Sequence, residues 1–353
     1  MSAQGQATRR ERTTSAAAPS RRRVLTILGG MAGLPLLLAG DAVRDRTPLV
    51  RWRGTALGSP ACIVVEHPDA ETRRRVLARC AAEIERLEKV FSLYRSDSEL
   101  VQLNAVGRLA NSSHDLKMLL SRCQRFSELS GGAFDVSVQP LWKVYARHFF
   151  VNPSLSVGPD RKTIEHALSL VDWQAIDVSS RGVVLGRPGM GLTLNGIAQG
   201  YLTDRIVDIL RDHGCERVFA NMGSSEIGLV GSHPDGRPWR IGLADPRAPR
   251  EVALTLDLAD RCISTSGGYG TPFDAAGRHH HLFDPKTGTS ARRRIAVTVI
   301  ASRTMTADAL STALYVTEPE REAALLAAFP DTLAVVTAPD GSRQQLGEKS
   351  PQG

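Results

Sequence analysis

The chain has 353 residues, 42% of them hydrophobic, which is enough for one large core or two modest ones, and no repeat period runs along it. Its net charge of +7 is unevenly placed: up to Ala42, six Arg face only Glu11 and Asp41, which takes +4 of the total and leaves +3 for the remainder. With 5% aromatic residues and no later block of Lys and Arg, the composition gives no support to nucleic-acid binding.

In chain order, Ser20-Arg21-Arg22-Arg23 leads into an apolar run from Leu25 to Ala39, broken by Gly29, Gly30, Gly33 and Pro35. About 15 residues is short for a membrane span but suits the core of an export signal. Paired arginines directly before it predict a twin-arginine signal over residues 1–42 and a periplasmic protein. The alternative is an uncleaved anchor in the inner membrane; a lipid anchor is disfavoured because no Cys follows the run. A domain over 43–345 and a disordered tail over 346–353 complete the expected organisation.

Residues 61–66 read as a strand, and 70–91 as an amphipathic helix with Val76, Cys80, Ile84, Leu87 and Phe91 at three- and four-residue spacing. A second helix is predicted from the N-cap Ser113 to Leu129, stopped by Gly131 and Gly132. Residues 152–160 form a Pro/Gly/Ser loop before a short helix ending near Leu170. Strands at 183–185 and 192–194 lead, through Asn195 as N-cap and Gly196, into a helix reaching His213. Short strands follow at 218–220, 226–230, 239–243, 253–256 and 295–300, then helices from Thr304 and Glu318 and a strand at 332–336. Strands outnumber the crossover helices a parallel sheet needs, so the expectation is α+β with largely antiparallel sheets and flanking helices. Cys62, Cys80, Cys123, Cys215 and Cys262 are odd in number and show no C-x-x-C, which argues for buried free thiols rather than a disulfide framework or a zinc site.

The chemistry gathers late in the chain. Asp308 and Thr312 stand four apart on a predicted helix, so their oxygens share one face, one turn apart. Such a hard-oxygen pair suits Mg²⁺, which takes few protein ligands and completes its shell with water and phosphate. Equally, an Asp in a first turn complements the helix dipole and a Thr can bond back to the preceding turn. The turn His281-Leu282-Phe283-Asp284-Pro285-Lys286-Thr287-Gly288 precedes that helix, with His279 and His280 before it read as solvated. Asn195-Gly196 opens a helix whose free N–H groups could hold a phosphate. Asn221 to Gly231 and Ser264 to Tyr269 are Gly/Ser/Thr segments that either line a nucleotide cleft or form plain turns. No G-x-G-x-x-G and no P-loop occurs.

Taken in order, these segments resemble the ApbE family of FAD:protein FMN transferases. The resemblance is carried by Leu57-Gly58-Ser59, Leu93-Tyr94-Arg95 with Ser98-Glu99-Leu100 and Leu103-Asn104, Gly132-Ala133-Phe134-Asp135, Leu194 to Gly200, the loops at Asn221 and Thr265, His281 to Gly288, and Ala307 to Thr312. It implies a single T-fold-related catalytic unit. It also implies Mg²⁺-dependent transfer of FMN from FAD to a Thr or Ser hydroxyl of a periplasmic or membrane-anchored acceptor protein, with AMP leaving. By position, Asp308 and Thr312 become metal ligands together with the backbone carbonyl of Gly196. Leu57, Tyr94, Ala133, Phe134, Asp135 and the backbone at Leu282 would line FAD, and His281 would serve as base or phosphate donor. Thr193 and Gln199 stand where the family often has Asp and Lys, which replaces charged contacts by neutral hydrogen bonds. The Leu194 to Gly200 version together with the arginine signal is similar to the NosX-type branch, linked to the nitrous-oxide reductase system. The rival readings are an FAD pyrophosphatase giving FMN and AMP, and a flavin-binding accessory protein without turnover.

Overall fold

The computed structural model describes residues 49–347 and the pair Leu37–Leu38; the expected signal, apart from that pair, and the last six residues lie outside the described residues. The centre is an eight-stranded sheet in the order β16-β15-β14-β11-β8-β7-β3-β2. These strands are β2 (Val50–Ala56), β3 (Ser59–Glu66), β7 (Arg217–Asn221), β8 (Ile227–Val230), β11 (Cys262–Ser266), β14 (Ala296–Ala301), β15 (Leu333–Thr337) and β16 (Arg343–Leu346). All pairs in it are antiparallel, so the α+β expectation holds. A smaller sheet joins β9 (Trp239–Asp245) and β10 (Ala248–Leu258) to β1 (Leu37–Leu38); another orders β4 (Arg108–Ala110), β6 (Gly182–Leu185) and β5 (Ile176–Ser179).

Both faces of the central sheet are covered, which is why β8 is buried at every position. Ile227 and Leu229 join Trp239, Ile241 and Ile263 under the β9–β10 hairpin. The opposite face carries the main core, built with α1 (Ala70–Phe91), α3 (His114–Ser130), α6 (Ala198–Asp212) and α7 (Thr304–Val316). Helix α1 is capped by Asp69, whose side chain accepts from Thr72 N–H, and buries Val76, Cys80, Ile84 and Leu87 on one stripe. Helix α3 is capped by Ser113 and ends at Gly131 with φ of 62°, a left-handed stop open to glycine at little cost. All five cysteines are free and four are buried, as expected.

Two helices escape the sequence reading: α2 (Glu99–Val106), capped by Ser98, and α4 (Gln139–Val151), which starts with Pro140 in its first turn. Leu141, Tyr145 and Phe149 on α4 pack with Phe283 and α5 (Arg161–Leu168) into a third, aromatic cluster. The predicted strand at 192–194 does not form. Its extended backbone is held by a side chain: Asn104 donates to the Leu192 carbonyl at 2.8 Å and accepts from Leu192 N–H at 2.6 Å. Conversely, Ser264 to Ser266, read as part of a loop, belong to β11, between β8 and β14. Among the described residues no helix is long and apolar enough to cross a membrane. Helix α8 (Pro319–Ala327) and the hairpin of β12 (Phe283–Asp284) with β13 (Thr289–Ser290) complete the elements.

Candidate active site

Helices α6 and α7 place the site by capping each other. Helix α7 has no side-chain cap of its own; Asp204 of α6 accepts from Thr304 N–H at 2.7 Å and Met305 N–H at 3.1 Å. In return Asp308 of α7 accepts from Gly200 N–H of α6 at 2.9 Å. Asn195 is therefore not the N-cap predicted for this helix: Ile197 stands at the cap, and the nearby Ile197 and Ala198 N–H groups go to the Leu194 carbonyl. The exchange satisfies free N–H groups of both helix starts with buried carboxylates, and it fixes Asp308 beside the chain turn that carries Gly196.

One turn beyond Asp308, the Thr312 hydroxyl lies 2.9 Å from where a Cβ on Gly196 would stand, so a glycine there leaves the hydroxyl room. Ser266 Oγ meets Thr312 Oγ1 at 3.1 Å and Ser311 Oγ at 2.8 Å. Two residues back on β11, on the same face, Ser264 donates to Glu226 at 3.4 Å. Glu226 also accepts from the Ser225 hydroxyl, and a Cβ on Gly223 would run into both its carboxylate and Gln199. Ser264 and Ser266 of β11 thus hold the Glu226 carboxylate and the Thr312 hydroxyl to one strand face.

Glu226, Thr312 and Ser266 line one open cleft. Ten of the twelve expected site residues face it: Ala133, Phe134, Asp135, Thr193, Gly196, Gln199, His281, Leu282, Asp308 and Thr312. Leu57 and Tyr94 do not. The Tyr94 ring lies against Gly58, while Leu57, at φ of 48°, donates its N–H to Glu88. Trp142, Phe283 and Pro285 add an apolar wall. Trp142 and Glu226 are among the lining residues that the sequence reading did not single out. A helix start at Pro140 would have signalled the first; Glu226 sat unmarked in a Gly/Ser loop.

The electrostatics are one-sided. Asp135, Glu226 and Asp308 face the cleft, and no Lys or Arg lines it among the described residues. Burial and the Glu226 charge push the Asp308 carboxyl well above the usual carboxylate range. Burial pushes Glu226 up to about 7, against the hydrogen bonds from Ser225 and Ser264. The amide nitrogen of Gln199 is buried without a hydrogen-bond partner. His281 is partly buried, its Nδ1 buried and unpartnered, and desolvation lowers its pKa to about 3, so the ring is neutral at physiological pH. His280 is not solvated as expected: its ring lies against Gly268 and edge-on to Tyr315, at 4% exposure. His279 packs against Tyr145 and Phe149.

Burial raises Asp135 to about 6, partly offset by the Ser137 hydroxyl and N–H that it accepts at 2.6 and 2.7 Å. A carboxyl raised in the fold contributes stability that is present below its unfolded pKa near 4 and lost as pH rises through about 6. Asp135→Asn is therefore expected to flatten the fall of melting temperature between about pH 4 and 6. Thermal scans across that window check it; equal slopes in both proteins would contradict the assignment.

No cluster of three or more His, Cys, Asp and Glu able to hold a metal occurs among the described residues, which speaks against a zinc-type centre. A carboxylate, a hydroxyl and a nearby carbonyl with surplus negative charge is the donor set of a hard divalent cation.

The ApbE family profile matches residues 57–337. The chain is 33% identical over 277 residues to the FAD:protein FMN transferase of Treponema pallidum (strain Nichols), covering 73% of this chain and 75% of that one. It is 29% identical over 317 residues to the FAD:protein FMN transferase of Vibrio cholerae, covering 88% and 93%. Among solved structures, the flavin transferase ApbE from Vibrio cholerae superposes with a TM-score of 0.73 at 26% identity, over 86% of this chain and 98% of that one. The ApbE protein of Thermotoga maritima gives a TM-score of 0.74 at 28% identity, over 84% and 97%.

Proposed function

The chain belongs to the ApbE family, and on that premise we propose that it is an enzyme that transfers FMN from FAD to a Thr or Ser hydroxyl of an acceptor protein, releasing AMP, with Mg²⁺ in the cleft. The observation that carries the reading is the lining of the cleft: three carboxyl groups and no Lys or Arg among the described lining residues. A pyrophosphate finds no positive side chain there to neutralise it, so a cation would have to come with it. Asp308, Thr312 and the Gly196 carbonyl would hold Mg²⁺, with Glu226 facing the same space. When bound, the cation neutralises the pyrophosphate and polarises the phosphorus under attack.

The chain's own residues do the rest. Gln199 offers its free amide N–H groups to a phosphate oxygen, in place of a charged side chain. Trp142, Phe283 and Leu282 give the flavin-bearing end an apolar wall and limit water at the phosphorus. His281, neutral and with Nδ1 free, can accept the acceptor's hydroxyl proton; the anionic phosphates beside it would raise its basicity above that of the empty cleft.

Incubation of the purified protein with FAD, Mg²⁺ and a Thr-bearing acceptor domain tests the proposal. Covalent flavin on the acceptor and stoichiometric AMP are expected, both lost with EDTA. Free FMN with an unmodified acceptor would favour the pyrophosphatase instead.

The proposal extends to a periplasmic site of action, supported by Arg21-Arg22 directly before the apolar run. It extends also to an acceptor of the nitrous-oxide reductase system, supported by the Leu194 to Gly200 segment with its Gln199. Changing Arg21 and Arg22 to Lys is expected to leave the precursor in the cytoplasm in cell fractionation, and undiminished export would refute the twin-arginine route.

A further inference from the structure

Half of the exposed large apolar side chains among the described residues, Phe150, Val151, Leu155 and Val157, fall in one stretch at the end of α4. Scattered exposed apolar residues need no explanation, but a contiguous group marks an interaction face. The stretch is held in place. His148 Nε2 lies 3.0 Å from the Val157 carbonyl, and Arg278 donates to the Ser156 carbonyl at 2.8 Å. Gly158 sits beneath the His279 ring. Through Arg278 and His279 the face is tied to the segment that carries His281 into the cleft. In the other direction α4 runs back roughly 12 Å from Phe150 to Trp142 in the cleft wall, eight residues at 1.5 Å each.

Charge indicates what covers this face. Lys143 and Arg147 are exposed on α4, and Arg278, which pairs with Asp274 at 3.5 Å, borders the loop. The acidic groups nearest in sequence are engaged: Asp160 caps α5 through Thr163, and Glu165 pairs with Arg161. A second copy would bring the same basic rim against itself. The chain's own residues before the described part carry Arg9, Arg10, Arg12 and Arg21 to Arg23, which repel it equally.

We propose that this face docks the acceptor protein, through an apolar surface segment rimmed by Asp or Glu, so that the acceptor's Thr or Ser reaches past Trp142 into the cleft. About four extended residues span that distance. The inference rests on the transferase reading, because an enzyme that transfers FMN to water needs no such face.

Two short fluorescein-labelled peptides test it, each with one Thr beside a Leu-Phe-Val segment, flanked by Asp in one and by Lys in the other. Fluorescence anisotropy with the full chain, FAD and Mg²⁺ is expected to show the acidic peptide binding at least about tenfold more tightly at low salt. The double variant Val151→Asp with Val157→Asp should erase the preference and leave FAD binding unchanged, since neither residue lines the cleft. Equal binding of the two peptides, or a preference that survives the substitutions, would overturn the docking face. Preference without covalent flavin on either peptide would sink the transferase reading, and with it the acceptor as occupant. A concentration-dependent dimer in sedimentation that the double variant breaks would give the face to a second copy and overturn the proposal too.

Discussion

Asp308→Asn is expected to lower FMN transfer on the order of 10³-fold while raising the melting temperature of the cation-free protein. The two effects have one cause. Asp308 is buried close enough to Glu226 for each to oppose the other's ionisation, and the described lining residues include no Lys or Arg to balance them. An Asn keeps the shape and an oxygen for the Gly200 N–H that now bonds Asp308. It removes an ionisable group whose charge burial and Glu226 both oppose. The same charge is what Asp308 would offer a cation, so stability and activity should move in opposite directions. Calorimetry in EDTA beside a gel-fluorescence assay for covalent flavin gives both numbers. A fall in the cation-free melting temperature would show that Asp308 serves mainly to hold the two helices together.

Gly200→Ala is expected to destabilise the protein by about 3 kcal/mol, a drop in melting temperature on the order of 5 to 10 °C, and to damage the site as well. A Cβ there would stand 2.6 Å from the Thr304 carbonyl, 2.7 Å from the Asp308 Cβ and 2.8 Å from the Met305 Cα. These atoms belong to the α7 helix start and cannot swing aside as a side-chain tip could. Separating α6 from α7 would stretch the bonds from Asp204 to Thr304 and Met305, and from Gly200 to Asp308, together. Thermal unfolding with and without Mg²⁺ measures it; a near-neutral substitution would mean that the crossing is looser than these distances imply.

What the sequence made legible follows from the range of each interaction. The Asp308 and Thr312 pair was visible because helix spacing alone puts them on one face. The helices at 70–91 and 114–130 were visible because their caps and stops, Asp69, Ser113 and Gly131, are local. The stretch at 192–194 misled because its apolar, β-branched pattern is real but its partner is the side chain of Asn104, far away in the chain. Asn195 misled because the N–H groups that it would have capped, those of Ile197 and Ala198, go to the Leu194 carbonyl, while the Gly200 N–H further along is taken by Asp308, 108 positions after it. Glu226 gained significance only when β11 brought Ser264 beside it and the fold left no Lys or Arg among the described lining residues. His279, His280 and His281 look alike in sequence, yet the loop sends one ring to an aromatic cluster, one into the core and one into the cleft.

A cleft walled by carboxylates has a consequence for ligand order. On the proposed reading, cation and dinucleotide would each carry the charge that the other needs, so each would tighten the binding of the other by the same factor. Neither alone would occupy the site well: free FAD would find no positive side chain among the described lining residues, and free Mg²⁺ would have to displace protons from raised carboxyls to enter. The protein would then respond to the product of the two concentrations rather than to either one. Flavin titrations at stepped Mg²⁺ and Mg²⁺ titrations at stepped FAD should yield one and the same coupling constant, and the cleft would remain closed to lone nucleotides wherever the cation is scarce.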